Sequence, residues 1–351
     1  MFTTPFGTVA ILIAILIGII GMLTLPSAPV GRFLREKKQR RERSFWEDIL
    51  RQTLQMEQDG RVVTAESLAG TLRRPITFIR RVMARMAERD LLTGEHHSVR
   101  LTPVGKRWAL HVLRAHRLWE SYLADEARLP MNRIHDQAER AEHHLSESDL
   151  AALDAHLGHP LEDPHGDPIP TAEGYLERPH GTPLPSWEGG EFVKVAHVED
   201  EPQEIFNRLL SKGVRPGVSL RLIAASPNAV EALLDGQTVL LEQDVLPNIE
   251  VVEDTDTLSR DPQVTRLSHL ATGETGEIFA LSDAIRGFSR RRLLDFGVTR
   301  GTRIAPVLDN PFGDPRAFRV RGTTIGIRDE QAQLIWVRRV AEKPAVSGGI
   351  A

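Results

Sequence analysis

The sequence has no cysteine in 351 residues, which excludes structural disulfides and every metal site built on thiolate ligands. It also has no large excess of one charge, because 44 lysines and arginines stand against 48 aspartates and glutamates. This balance argues against a uniformly basic coat for nucleic acid, so the local distribution of charge matters more than the total. A chain of this length can hold roughly two to four domains, each with its own core.

One long apolar run without charge stands near the N-terminus, from Phe6 to Leu25. This length can span a hydrocarbon core as a helix, so we expect a transmembrane helix within residues 1–30. Residues 31–43 carry seven lysines and arginines, and the positive-inside tendency places this basic linker in the cytoplasm. We therefore expect cytoplasmic domains anchored to the inner (plasma) membrane. A cleaved signal peptide and a buried core helix are the alternatives.

Residues 44–105 have the pattern of a winged helix-turn-helix domain, with three short helices followed by a β-hairpin. Ser44 and Thr64 are the expected N-caps of the first two helices, and Pro75 fits the first turn of the third. The third helix turns Ile79, Val82, Met83 and Met86 inward. Its polar face and the preceding turn supply the candidate DNA contacts, which are Arg73, Arg74, Thr77, Arg80, Arg81 and Arg85. An ordinary amphipathic helix with an arginine-rich solvent face is the alternative.

Residues 106–170 form a helical region that gathers imidazoles and carboxylates. His116 and Glu120 share one helix face at the spacing i, i+4. At 100° per residue, a second set falls within one arc of about 100° on a later helix, namely His135, Glu139, Glu142 and His143. Mixed nitrogen and oxygen donors suit a divalent first-row metal. The alternative is a solvated helix face with incidental salt bridges.

The rest of the chain changes to short β-rich runs after a linker at residues 171–190 that follows a stretch rich in proline, glycine and histidine. The histidines in and near that stretch could bind metal, but loop histidines of this kind are mostly solvent-exposed, and we expect the same of these: His156, His159, His165 and His180. Residues 191–255 and 264–341 each place a helix ending in Gly-Val-x-x-Gly before a strand, which indicates a duplicated small barrel. Residues 342–351 form a tail.

Several motifs together resemble the diphtheria toxin repressor and manganese transport regulator family of metal-dependent transcription factors. The matching stretches are Glu47-Asp48-Ile-Leu, Leu101-Thr-Pro-Val-Gly-Lys106, Arg114-Ala-His-Arg-Leu-Trp-Glu120, Ile134-His-Asp-Gln-Ala-Glu-Arg-Ala-Glu-His143 and Asp167-Pro-Ile-Pro170. The two β-rich segments look like SH3-like barrels of the ferrous-iron transport protein A type. The expected fold class is therefore α+β and multidomain, with an N-terminal transmembrane helix, a winged helix-turn-helix, a helical metal-binding dimerisation domain and two small SH3-like β-barrels.

The resemblance implies two sets of metal ligands. One set is His116, Glu120 and His135, and the other is Asp48, Glu139, Glu142 and His143. The oxygen-rich second set resembles that of manganese-responsive members, which favours Mn(II) over Fe(II) or another divalent first-row metal. Arg51 stands where such members place a further carboxylate. Family members with a barrel lend side chains from it to a metal, and Glu201 and Glu204 lie near the equivalent helix.

The function implied is a metal-dependent transcriptional regulator that binds operator DNA as a homodimer, a repressor of metal-uptake genes with no small-molecule substrate. Metal would fix the spacing of two recognition helices for two half-sites in the major groove. A cytoplasmic metal-sensing module of a membrane metal transporter is the alternative. We do not expect an enzyme, because no oxyanion site or nucleophile–base pair accompanies the ligands.

Overall fold

The computed structural model describes residues 29–95, 98–127, 129–177, 181–226, 228–234, 237–255, 263–282, 285, 287–308 and 314–340. The chain divides into two compact units, one up to Val112 and one from Leu113 onward. The boundary lies within a single helix, α4, which runs from Pro103 to Asp125.

The first unit consists of three helices and a hairpin. Its elements are α1 (Pro29–Gln58), α2 (Ala65–Thr71), α3 (Ile76–Ala87), β1 (Leu92–Glu95), β2 (Ser98–Leu101) and the first half of α4. The Thr64 side chain accepts a hydrogen bond from the backbone of Ser67, so the expected cap of α2 is confirmed. The four apolar side chains expected inside on α3 are buried. Element order and burial are those of a winged helix-turn-helix.

The transmembrane helix of the expected fold class requires correction. No helix in the described part of the chain is long and apolar enough to cross a membrane. The span proposed from Phe6 to Leu25 lies outside the described residues. The basic stretch at residues 31–43 is helical and belongs to α1. Described side chains on this part of α1 are mostly charged, and charged side chains are costly in hydrocarbon. The expected membrane anchoring, and the location at the inner membrane that was derived from it, are therefore not supported.

The second unit begins with a helical part made of α4, α5 (Met131–Ala141), a short 3₁₀ turn (Glu142–His144) and α6 (Glu147–Leu157). Its core joins α4 to α6 through Leu118, Leu150 and Leu157, and Ile169 from the following loop completes it. Ser146 caps α6 in a reciprocal capping box with Asp149, which fixes the start of that helix after the 3₁₀ turn.

Two sheets follow, each of six strands. The first barrel contains β3 (Thr182–Pro183), β4 (Phe192–Val198), α7 (Gln203–Ser211), β5 (Ser219–Ser226), β6 (Ala229–Leu234), β7 (Gln237–Glu242) and β8 (Ile249–Glu253). The second barrel contains β9 (Val264–Arg266), β10 (Thr275–Leu281), α8 (Gly287–Asp295), β11 (Arg303–Leu308), β12 (Arg316–Val320), β13 (Thr323–Ile327), α9 (Asp329–Gln333) and β14 (Ile335–Val340). Each barrel has its own buried apolar cluster.

The two barrels have the same topology. The strand order is β3-β8-β4-β5-β6-β7 in the first and β9-β14-β10-β11-β12-β13 in the second, so each strand has its counterpart in sequence order. In the repeated Gly-Val-x-x-Gly motif, both glycines of each copy have φ between 80° and 84° (Gly213, Gly217, Gly297 and Gly301). Glycine is the residue that accepts this left-handed conformation without strain. The duplication inferred from the motif therefore has a conformational basis.

The first barrel packs against the helical part through α5. Met131 at the start of α5 belongs to the apolar core of the barrel, and the Gln203 side chain on α7 donates a hydrogen bond to the Asn132 carbonyl oxygen at 2.9 Å. This contact places the next turn of α5, which carries His135, beside the loop between β4 and α7.

Candidate metal centre and nucleic-acid interface

His116 and Glu120 lie on the buried face of α4, one helical turn apart. Their side chains are almost fully buried, and His116 Nε2 lies 3.0 Å from Glu120 Oε1. The other ring nitrogen, Nδ1, contacts Glu142 Oε2 at the end of α5. Two carboxylates therefore flank one imidazole in a buried environment.

His135 on α5 completes a group around the same carboxylate. Its Nδ1 lies 3.2 Å from Glu120 Oε1 and 3.0 Å from Asp200 Oδ2. The rings of His116 and His135 meet edge to face, with centroids 4.9 Å apart. Asp200 follows β4, so the first barrel adds a carboxylate to a cluster that otherwise comes from the helical part.

A further imidazole comes from the loop between α6 and β3. His165 is buried, its ring packs against Phe206 of α7, and its Nδ1 lies 3.9 Å from Glu120 Oε2. Its Nε2 is buried without a hydrogen-bond partner in the part of the chain that the structure describes. A buried polar atom without a partner is costly, and a metal ion is one group that can satisfy it.

The loop that carries His165 is held on both sides. Asp163 Oδ1 accepts the backbone N–H groups of His165 at 2.8 Å and Asp167 at 3.0 Å. Arg117 on α4 donates to the Pro168 carbonyl oxygen at 2.5 Å and pairs with Asp163 and Asp167 at 3.6 and 3.2 Å. These bonds fix the backbone on either side of the imidazole.

The same loop docks on the first barrel. The backbone N–H of Val198 on β4 donates to the His165 carbonyl oxygen at 3.0 Å. Gly166 approaches the strand so closely that a Cβ atom there would stand 1.9 Å from the Ala196 carbonyl oxygen. Only glycine permits this contact, which keeps His165 near Asp200.

Two groups of three ligand atoms share Glu120. One is His116, Glu120 and His135, and the other is Glu120, His165 and Asp200; within each group the ligand atoms lie within 4.8 Å of one another. Three imidazoles and two carboxylates form a donor set of nitrogen and oxygen without sulfur, which fits a divalent first-row metal such as Mn(II), Fe(II) or Zn(II).

Charge in the metal-free cluster is balanced by protonated imidazole. Burial by itself lowers the pKa of His135, but hydrogen bonds to Asp200 and Glu120 and their charges outweigh it and raise that pKa to about 11. Burial likewise raises the pKa of Glu120, yet the three histidines hold it well below its usual value. The cluster therefore binds a proton where a metal cation would bind, and the two compete.

Two of the four residues that helix spacing had placed in one arc lie beyond the end of α5. Helix α5 ends at Ala141 and a 3₁₀ turn begins at Glu142, so the 100° periodicity stops there. His135 faces Glu120 and Asp200, whereas Glu142 contacts His116 and its Oε1 lies 3.7 Å from His143 Nε2. Glu139 is exposed on α5. Asp48 lies on α1 in the first unit, and its place in a ligand set with these residues stays a prediction.

Two residues of the cluster were missed by reasoning from the sequence. The sequence allows His165 to bind metal but favours a solvent-exposed loop histidine, whereas the structure buries it. From the barrel, Glu201 and Glu204 were considered, whereas the carboxylate that reaches the cluster belongs to Asp200, one position earlier. The detectable signals were the turn sequence Asp163-Pro-His-Gly166 and the acidic run that follows β4.

The predicted DNA-contacting residues lie on or just before α3. Most of them are exposed, while Arg80 is half-buried and pairs with Glu66 at 2.7 Å. Arg85 pairs with Glu42, and the Arg74 guanidinium lies 5.9 Å from the Phe45 ring centroid. Thr77 and Arg81 are exposed on the outer face of the helix, opposite its buried side chains.

Comparison with known protein families matches three parts of the chain. Residues 102–171 match the iron dependent repressor, metal binding and dimerisation domain. Residues 182–253 and 265–339 each match the FeoA domain. The first match contains four of the five residues of the cluster, and the second contains Asp200.

Curated relatives include repressors and a transport protein. The diphtheria toxin repressor of Corynebacterium efficiens is 30% identical over 192 residues, which is 50% of this chain and 82% of the relative. That of Corynebacterium diphtheriae is 33% identical over 126 residues, 35% of this chain and 55% of the relative. A probable metal transport system membrane protein of Chlamydia trachomatis is 37% identical over 91 residues, 26% of this chain but only 19% of the relative.

A solved structure agrees over the same region. A manganese-dependent transcriptional repressor in complex with manganese is 30% identical, with a TM-score of 0.55, and the match covers 59% of this chain and 99% of that one. The T. acidophilum IdeR structure, at 24% identity and a TM-score of 0.50 over 59% of this chain and 97% of that one, has the same fold.

Proposed function

The chain belongs to the diphtheria toxin repressor family, and on this premise we propose that it is a metal-dependent transcriptional repressor that binds operator DNA as a homodimer. The observation that carries the proposal is the largely buried cluster of three imidazoles and two carboxylates that includes Glu120. Such a cluster is costly to bury unless a cation or protons balance it. No nucleophile or oxyanion site accompanies it among the described residues, so sensing explains it better than catalysis.

The metal we propose is Mn(II), with Fe(II) as the second choice. The five donors are nitrogen and oxygen atoms, and carboxylate and imidazole ligands are compatible with both ions. Relatives are described as iron-dependent, and a solved relative contains manganese. The genes controlled would then be those for uptake of the same metal.

When bound, the metal would supply positive charge and bonds that join otherwise separate segments. His116, Glu120 and His135 would hold an ion between α4 and α5. The overlapping group of Glu120, His165 and Asp200 would join α4 to the docked loop and the first barrel. Metal binding requires His135 to lose its proton, so the ion replaces a proton as the counter-charge of Glu120 and Asp200. The metal favours the DNA-binding state only to the extent that it binds this state more tightly than the state that does not bind DNA.

The second ligand set, Asp48, Glu139, Glu142 and His143, remains a prediction that rests on the family resemblance. Replacing Glu142 by alanine tests it, although Glu142 also contacts His116. Replacing Asp48 by alanine is the cleaner test. Loss of metal-dependent DNA binding with the Glu120 cluster still loaded supports a second functional set, and an unchanged response removes it.

DNA binding is proposed for α3 and the turn before it. The expected contacts are those derived from the sequence, Arg73, Arg74, Thr77, Arg80, Arg81 and Arg85. The experiment is fluorescence anisotropy of the chain with duplex DNA from upstream of its own gene and of neighbouring metal-transport genes, in Mn(II), Fe(II) or chelator. Tight binding to one fragment only with metal, at moderate salt, supports the proposal. Binding that ignores metal contradicts it.

A metal-sensing module of a membrane transporter is the second candidate. The similarity to a probable metal transport system membrane protein favours it, because the matched segment is only 19% of that relative and could serve there as a regulatory part. The two candidates differ in one requirement. A repressor needs specific operator DNA, whereas a transport sensor needs only metal binding.

A further inference from the structure

The basic stretch at residues 31–43 has a defined structure, and the proposed function assigns it no role. It forms the first part of α1, and each described side chain from Arg35 to Arg41 is exposed. Among the described side chains of this helix, the first buried ones are those of Trp46 and Glu47. A helical segment of about two turns therefore presents its charges to solvent before α1 joins the core. Its described cations up to that point are Arg35, Lys37, Lys38, Arg40, Arg41 and Arg43.

Contacts within the first unit fix the end of this basic segment beside α3. The guanidinium of Arg85 pairs with Glu42. Arg85 and Arg89 also lie over the Trp46 ring, at 5.7 and 5.1 Å from its centroid, within the range of cation–π attraction. The segment is thus held against the C-terminal end of the helix that carries the predicted DNA contacts.

A groove of about 490 Å³ lies along this junction. Its charged lining consists of four arginines and two glutamates: Arg40, Arg43, Arg85, Arg89, Glu36 and Glu42. Arg43 and Arg85 have carboxylate partners, Glu47 at 2.8 Å and Glu42. Arg40 and Arg89 form no ion pair with any described residue. The groove therefore keeps an excess of positive charge.

Trp46, which also lines the groove, carries a further hydrogen-bond donor. Trp46 is 5% exposed, and its indole N–H is buried without a hydrogen-bond partner among the described residues. An indole N–H can only donate, so its partner must be an acceptor. Unpaired guanidinium groups beside an unsatisfied donor indicate an anion with several oxygen atoms, and phosphate is the anion that arginine forks match best.

We infer that this groove seats backbone phosphates of the DNA duplex that α3 reads, so that the basic segment of α1 is a second, sequence-independent DNA contact. The inference rests on the proposed function. DNA carries one charge per about 1.7 Å of helix axis, so a duplex that contacts α3 brings further phosphates to neighbouring cations. Arg40 and Arg89 would hold the phosphates and Trp46 would donate to one of them. Such contacts increase affinity and position the protein but do not select sequence.

The test compares salt dependence in full-length, Mn(II)-loaded protein. The probe is a labelled random-sequence duplex of about 30 base pairs, long enough for several phosphate contacts. Affinity for DNA falls as salt rises, so the slope of log affinity against log salt is negative. The double variant Arg40→Gln/Arg89→Gln should make this slope shallower by about 1.8, because each lost phosphate contact removes about 0.9. If the variant and the wild type bind equally at 1 M salt, this difference in slope makes the variant bind roughly thirtyfold more weakly at about 0.15 M salt. Arg40→Lys/Arg89→Lys should keep most of the slope.

The control removes the same charge elsewhere. Arg291→Gln/Arg292→Gln alters two exposed arginines of α8 in the second barrel and should leave the slope unchanged. Equal slopes for the groove variant and the wild type overturn the inference. If the wild type shows no metal-dependent binding to any upstream fragment, the proposed function fails first, and the two failures are distinct.

Discussion

Replacing Asp200 by asparagine separates a metal ligand from a structural ion pair. The substitution keeps the size of the side chain and one acceptor oxygen but removes the charge that lies 3.0 Å from His135 Nδ1. Removing groups that only orient metal ligands typically costs about 10–100-fold in affinity, so a direct ligand should cost at least as much. We expect weaker Mn(II) binding with the fold intact.

Competition with a proton changes how this loss depends on pH. With the pKa of His135 at about 11, metal at pH 7 must displace a proton that the imidazole holds with a preference of about 10⁴. The apparent affinity of the wild type should therefore rise by about tenfold per pH unit above neutrality. In Asp200→Asn one of the two carboxylates that raise this pKa is gone, so the rise should level off at lower pH. The deficit of the variant should grow as pH increases.

The assay is calorimetric titration with Mn(II) under anaerobic conditions, from about pH 6.5 to 8.5, in buffers of different ionisation enthalpy so that proton release is counted. The matched control is Glu201→Gln, which removes the same charge from the exposed neighbouring residue. If Asp200→Asn binds Mn(II) with the affinity and the pH dependence of the wild type, the reasoning is refuted. So would an equal loss in Glu201→Gln, because the effect would then be one of overall charge.

Three further outcomes are expected. His165→Asn should weaken Mn(II) binding at least tenfold, whereas His159→Asn, at a mostly exposed side chain, should not; titration calorimetry decides. The raised pKa of His135 stabilises the metal-free fold fully below about pH 6.5, and this contribution is lost as pH rises toward 11. Thermal unfolding of the metal-free chain should therefore shift down with pH, more than that of the loaded chain. Arg81→Ala should weaken specific DNA binding by about 1–3 kcal/mol in anisotropy measurements, without changing metal affinity.

Local rules explain the parts of the fold that the sequence predicts well. The cap at Thr64, the inward side of α3 and the repeated Gly-Val-x-x-Gly turn each depend on a few neighbouring residues. The i, i+4 pair of His116 and Glu120 is similarly local, and its side chains do meet at 3.0 Å.

Other features depend on interactions that no local pattern contains. His165 reaches Glu120 only because Arg117 and β4 hold its loop, and Asp200 reaches His135 only because α5 packs on the first barrel. The four-residue arc on α5 fails because the helix tightens into a 3₁₀ turn at Glu142. Ser44 does not cap α1; its hydroxyl donates to the Arg40 carbonyl oxygen within a helix that began at Pro29. Serine is a good N-cap residue, but it can also lie inside a helix when the residues before it are good helix formers, as Ser44 does here.

The central claim is that metal bound at the Glu120 cluster controls DNA binding. Its most direct test is anisotropy of wild type and Glu120→Gln side by side on the upstream fragment, titrated with Mn(II) at constant salt. Glutamine keeps the shape of the shared ligand and removes its charge. We predict that the wild type acquires specific affinity with metal and that Glu120→Gln does so only at much higher Mn(II), although both remain folded dimers. Identical Mn(II) dependence of DNA binding in the two proteins would contradict the account.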